Sequence, residues 1–136
     1  MKKVILVDGN NLLFRSYYAT AYSGNLMKNS KGFPTNGLFG FINMMNKIIH
    51  EENPNYILVA FDMGKTFRHE KYEDYKGGRD ETPNDLKVQF PVAKEILKAM
   101  EICYLEVQDY EADDIIGTYA RQIDDSNDYE GLIVSS

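Results

Sequence analysis

Four short runs of the chain are almost continuously apolar and rich in β-branched or aromatic residues: VILVD (4–8), YILVAFD (56–62), ICYLEV (102–107) and GLIVSS (131–136). Such runs, lacking polar alternation, fit strands buried on both faces, as in a parallel sheet. Helical periodicity fills the intervals. Leu38, Phe41, Ile42, Met45, Ile48 and Ile49 recur at steps of three and four and form one apolar stripe, with Pro54 beyond its end. TPND (82–85) predicts a second helix start, with Thr82 as N-cap, Pro83 in the first helical position and Asp85 placed for a capping-box contact. Leu86, Phe90, Ala93, Leu97 and Met100 form its core face. A third helix is expected from about residue 111, with Ala112, Ile115, Ile116, Tyr119 and Ile123 turned inward. Strands alternating with helices predict an α/β fold, a mostly parallel sheet with helices on both faces and right-handed crossovers.

Composition sharpens this picture in three places. The chain has 136 residues, 43% of them hydrophobic, which is enough for one domain with a real core. Its single cysteine, Cys103, permits no internal disulfide, and its neighbours Ile102, Tyr104 and Leu105 predict a buried thiol in a reducing, cytoplasmic setting. The opening MKKVILVDGN has an uninterrupted run of only four apolar residues before Asp8, too short for a secretory core or a membrane span. The formal charge of −6 argues at first against a nucleic-acid partner. Setting aside five carboxylates assigned below to a metal site leaves 16 acids against 15 bases, so local arrangement matters more than the total.

Those five are Asp8, Asp62, Glu111, Asp113 and Asp114. Asp8 closes the first predicted strand, Asp62 closes the second, and the other three follow the third after a short turn. In a parallel sheet these strand ends share one edge, the edge along which α/β proteins bind ligands. Each acid alone has a plainer explanation: Asp8-Gly9-Asn10 reads as a turn, and acids before a helix complement its dipole. Turn chemistry does not explain why acids recur at one edge three times. An all-oxygen set suits Mg²⁺ or Mn²⁺ rather than zinc, and His50 and His69 lie in polar or charged stretches that do not look like ligand positions. Five carboxylates are enough for two ions about 3.5 to 4 Å apart, the arrangement that stabilises attacking and leaving oxygens in phosphoryl displacement. The segment GKTFRHEKYEDYKGGR (64–79) adds a second feature. At about 100° per residue, Lys65, Arg68, Tyr72, Tyr75, Lys76 and Arg79 share a narrow sector, with Glu70, Glu73 and Asp74 elsewhere. Gly77 and Gly78 interrupt the helix before Arg79. Cations interleaved with aromatics hold single-stranded nucleic acid; a solvated helix with i, i+4 pairs is the alternative.

The blocks ILVDGNNLLFRSYYA, NSKGFPTNGLFGF, VAFDMGKTFRHEKYEDYKGGR, TPNDLKVQFP and YEADDIIGTYA resemble the N-terminal 5′ nuclease domain of bacterial DNA polymerase I, a relative of the flap endonucleases. The resemblance covers nearly the whole chain and implies a PIN-like, resolvase-like α/β fold with a helical arch over residues 64–82. It implies that Asp8, Asp62, Glu111, Asp113 and Asp114 are metal ligands or support them, with two Mg²⁺ or Mn²⁺ ions in the complete domain. Arg15, Lys76 and Arg79 match basic positions that contact substrate phosphates, and Tyr75 matches an aromatic of the arch. The implied substrate is DNA with a 5′ end or 5′ flap. Lys76 and Arg79 neutralise charge on the phosphate as water attacks, and the products are a 3′-hydroxyl and a 5′-phosphate. The implied protein is a cytoplasmic, nucleoid-associated monomer joined to a polymerase domain. The family continues past LIVSS with an aspartate pair, a helix-hairpin-helix-type module and a further aspartate, so residues 1–136 are expected to be the N-terminal part of the domain, weak or inactive alone. A PIN-type ribonuclease and a non-catalytic DNA-binding module are the alternative functions. A phosphatase with Asp8 as nucleophile is disfavoured because Asn10 stands where a second aspartate is usual.

Overall fold

The computed structural model describes residues 2–21, 29–62 and 83–134. Along the chain run β1 (Lys2–Asp8), α1 (Gly9–Ala21), α2 (Asn36–Glu52), β2 (Tyr56–Phe61), α3 (Asn84–Lys87), α4 (Gln89–Ala99), β3 (Cys103–Glu106), α5 (Ala112–Asp124) and β4 (Tyr129–Val134). The four strands form one sheet in the order β3-β2-β1-β4, every pairing parallel. Tyr104 pairs with Val59, Val59 with Val7, and Val7 with Val134, so the strands end along a common edge.

Side chains alternate across a sheet with period two, and here the alternation sorts the core into two layers. Ile5, Val7, Val59 and Phe61 face α1, α2, α3 and α4, packing with Leu12, Leu13, Tyr17, Leu38, Phe41, Met45, Leu86, Ala93 and Leu97. Leu6 and Ala60 face the other way, against Ala112, Ile115 and Ile116 of α5. Helices therefore cover both faces, one of them with α5 alone among the described residues.

Several expectations need correction. Burial on both faces holds for the ends of the central strands β1 and β2, whereas β4 lies at the sheet's edge with Leu132 and Ile133 exposed. Cys103 opens the other edge strand and is exposed, not buried, since among the described residues no strand covers it on that side. Tyr119 is exposed as well: the inward stripe of α5 is narrower than the apolar periodicity. The helix at TPND starts one residue later than expected, at Asn84. Pro83 is the extended N-cap, its carbonyl accepting from Leu86 and Lys87, and among the described residues no side chain caps the turn; the capping box expected between Thr82 and Asp85 involves a residue outside them. That helix also breaks at Val88, since Pro91 has no N–H to give the Lys87 carbonyl. Thr82 and the Ser135-Ser136 end of the fourth run lie outside the described residues.

Helix α1, hidden behind the turn-like Gly9-Asn10 pair, is the element the apolar pattern did not predict. It begins directly after Asp8 because Gly9 lies against β2: a Cβ there would sit 2.6 Å from the Phe61 ring and 2.8 Å from Val59. A buried polar knot ties α1 to its neighbours. Gln89 Nε2 donates to Asn36 Oδ1 at 3.2 Å and to the Asp85 carbonyl at 2.9 Å, and Gln89 Oε1 accepts from Leu38 N at 2.9 Å. Asn36 Nδ2 donates to the Tyr17 carbonyl at 3.2 Å. Helix α2 has no cap from its own Thr35, so Gln89 satisfies its first turn from across the core.

Candidate metal centre

The period-two alternation that sorts the core also collects the acids. Asp8 continues the series Val4-Leu6 and Asp62 the series Leu58-Ala60, both on the face covered by α5. Helix α5 brings its own acids to that edge at its N-terminal end, where Glu111 is the extended N-cap and Asp113 and Asp114 stand in the first turn. The chain reaches that start through a turn in which Tyr110 N donates to the Val107 carbonyl at 3.1 Å, with Asp109 in the left-handed region at φ 70°. Asp109 thus serves the turn, a conformation that aspartate tolerates better than most residues.

Each of the other acids meets a helix start. Asp8 is buried, and its Oδ1 accepts from Asn11 N at 3.0 Å, capping α1. Asp62 Oδ1 accepts from Ala112 N at 2.7 Å at the head of α5, and its Oδ2 accepts from Asn10 Nδ2 at 3.2 Å. Glu111 and Asp114 form a capping box, with Glu111 N donating to Asp114 Oδ2 at 2.9 Å. Glu111 is buried too, and its Oε1 meets no hydrogen-bond donor among the described residues. Asp113 is the exposed member, and its carboxyl contacts that of Asp8. The N-termini of α1 and α5 both lie against these acids, and their partial positive charge offsets part of the carboxylates' mutual repulsion.

That compensation is incomplete at Asp8. Burial pushes its carboxyl from the usual 3.8 up to about 6; the Asn11 amide opposes the rise, and the neighbouring Asp113 and Asp62 add to it. Asp113 and Asp62 thus act on Asp8 through space, and a cation at this edge would relieve the repulsion that raises its carboxyl. Among the described residues, no three acids, histidines or cysteines stand together as a ready-made metal cage. The donor chemistry fits a hard divalent ion, all carboxylate oxygen, with His50 remote at the exposed end of α2.

Of the remaining predicted site residues, Arg15 is exposed in the second turn of α1. Lys65, Arg68, Tyr72, Tyr75, Lys76 and Arg79 lie outside the described residues, as does the predicted arch. Asn10 was missed as part of the site. Its signal was its position two residues after a strand-ending aspartate, masked because Gly-Asn also makes turns.

A parallel sheet with acids at its C-terminal edge invites comparison with known nucleases. The model of the 5′-3′ exonuclease N-terminal resolvase-like domain matches residues 3–136. The chain belongs to this family. It is similar to DNA polymerase I of Geobacillus stearothermophilus, 52% identical over 121 residues that cover 88% of this chain and 13% of that protein. It is also 44% identical over 123 residues to the 5′-3′ exonuclease of Aquifex aeolicus, covering 90% of this chain and 41% of that one. The chain thus spans well under half of these relatives. Among solved structures, the bacteriophage T5 D15 flap endonuclease, in a pseudo-enzyme-product complex with DNA and metal ions, has a TM-score of 0.66 at 25% identity, covering 98% of this chain and 48% of that one. The T5 5′-exonuclease with bound divalent zinc has a TM-score of 0.65 at 23% identity and matches in fold. The chain therefore has the PIN-like α/β fold expected from its resemblance.

Proposed function

We propose that this domain hydrolyses DNA phosphodiesters from a 5′ end or at a 5′ flap, using Mg²⁺ or Mn²⁺ held at the acid edge. The observation that carries the proposal is the convergence of Asp8, Asp62 and Asp113 from three elements onto one end of the sheet, where the Asp8 carboxyl is raised to about 6. The family match and the metal-bearing, DNA-bearing T5 relative support it. Asp8, Asp62, Glu111, Asp113 and Asp114 are the proposed holders of the ions, whose chemistry is to activate water and stabilise charge on the attacking and leaving oxygens. The chain's own residues do the positioning. Asp8 and Asp113 would hold an ion from β1 and α5, Asp62 is fixed between Asn10 and the head of α5, and the Glu111–Asp114 box sets where α5 begins. Arg15, Lys65, Arg68, Lys76 and Arg79 are proposed to contact DNA phosphates, with Tyr72 and Tyr75 stacking on bases, and Lys76 and Arg79 countering charge at the scissile phosphate. A monomer in the cytoplasm, joined to a polymerase domain as in the DNA polymerase I relatives, is the setting proposed. The test is cleavage of DNA carrying a labelled 5′ flap, in Mn²⁺ and in Mg²⁺, by the protein that carries this chain and by its Asp62→Asn variant. The proposal expects 5′-phosphorylated products and a loss of at least about 100-fold in the variant; equal rates would overturn it.

A further inference from the structure

Asn10 meets Asp62 twice. Asn10 Oδ1 accepts from the Asp62 backbone N–H at 2.9 Å, and Asn10 Nδ2 donates to Asp62 Oδ2 at 3.2 Å. The other carboxylate oxygen, Oδ1, accepts from Ala112 N at 2.7 Å. The carboxylate is thus gripped from both sides, by the first turn of α1 and by the first turn of α5, and its backbone is fixed by the same amide that fixes its side chain. An isolated aspartate at a strand end turns about two side-chain bonds; this one is denied both. The amide suits the position because it offers one acceptor and a donor in a fixed plane, matching the backbone N–H and the carboxylate together. An aspartate at position 10 would retain the acceptor and set a second negative charge against Asp62.

We infer that Asn10 is a positioning residue of the metal centre, holding Asp62 in the orientation in which it meets a divalent ion. The inference rests on the proposed role of Asp62 and deepens it. Asn10 also joins α1 to β2 at the point where the two strand-end acids must keep their spacing, so it couples the Asp8 helix start to the Asp62 carboxylate. Groups of this kind, bonded to a ligand rather than to the ion, typically alter metal affinity 10- to 100-fold when removed.

Two readouts test it, one of them free of metal. In the ion-free protein, Ala112 N–H is protected by Asp62 Oδ1, and Asn10 itself makes no bond to Ala112. If Asn10 holds the carboxylate, Asn10→Ala speeds hydrogen exchange at Ala112 by about 10-fold while the amides of α2 exchange as before. Unchanged exchange at Ala112 overturns the proposal. Mn²⁺ affinity, measured by calorimetry on Asn10→Ala, Asp62→Asn and the double variant, forms a cycle. The expected result is affinity about 10-fold weaker in Asn10→Ala and no further loss when the change is added to Asp62→Asn. Losses that multiply in the double variant show that Asn10 does not act through Asp62 and overturn the proposal. Should the unmodified protein take up no Mn²⁺, the metal reading of Asp62 fails, and exchange at Ala112 alone decides whether Asn10 holds the carboxylate.

Discussion

At the scale of single residues, the site is a place where function opposes stability. Asp8 is buried beside Asp113 and Asp62, and its carboxyl is raised from 3.8 to about 6. The folded state therefore binds a proton more tightly than the unfolded chain does. Stability is greatest below pH 3.8 as far as this group is concerned, falls as pH rises through about 6, and remains lowered above it. The cost at pH 8 is on the order of 2–3 kcal/mol. Asp8→Asn should thus melt at higher temperature than the unmodified chain at pH 8 without metal, with the gap closing toward pH 4; thermal denaturation followed by circular dichroism reads it. An equal gap at both pH values would mean that Asp8 carries no such strain. Gly9 works in the opposite sense. With the Phe61 ring 2.6 Å from where a Cβ would stand, Gly9→Ala must push α1 away from β2. A loss of about 1–3 kcal/mol in urea denaturation is expected, and an unchanged midpoint would show that α1 has room to shift.

At the scale of elements, legibility in the sequence followed the strength of the periodicity. Helix α2 was readable from Leu38, Phe41 and Met45, all now buried, and the central strands from their unbroken apolar runs. Helix α1 was not, because Gly9 and Asn10 carry turn propensity that the close packing on Phe61 and the Asp8 cap override. Edge status was equally hidden: GLIV and ICYL look as apolar as VILV, and only the strand order β3-β2-β1-β4 reveals which runs lack a neighbour. The acids at the strand ends were legible as a group, whereas their individual bonds were not, since the capping of α1 and α5 depends on where each helix begins. The Gln89 knot belongs to the same hidden class, a polar residue within an apolar stripe that satisfies Leu38 N and Asn36 from another helix. Gln89→Ala should cost about 2–4 kcal/mol, because it opens a cavity and strands a buried donor and acceptor. Urea denaturation measures this, and a change below about 0.5 kcal/mol would show that water replaces the amide without penalty.

At the scale of the whole molecule, one parallel sheet performs the assembly. Parallel order brings three strand ends to one edge, period-two alternation turns Asp8 and Asp62 to the same face, and α5 caps that face with its acidic first turn. Among the described residues, no helix is long and apolar enough to cross a membrane. Carboxylates crowd where a cation is expected, so an ion bound only by the folded state must also stabilise the fold. At 100 times its dissociation constant Mn²⁺ should add about 2.7 kcal/mol, raising the melting temperature of the unmodified chain and leaving that of Asp8→Asn nearly unmoved. The most direct measurement of the metal centre itself is anomalous X-ray diffraction from crystals soaked in Mn²⁺ above pH 7. A manganese peak is expected at the C-terminal edge of β1 and β2, touching Asp8, Asp62 or Asp113. A fully occupied peak elsewhere with that edge empty, or carboxylates still bonded only to each other and to the helix amides, would contradict it.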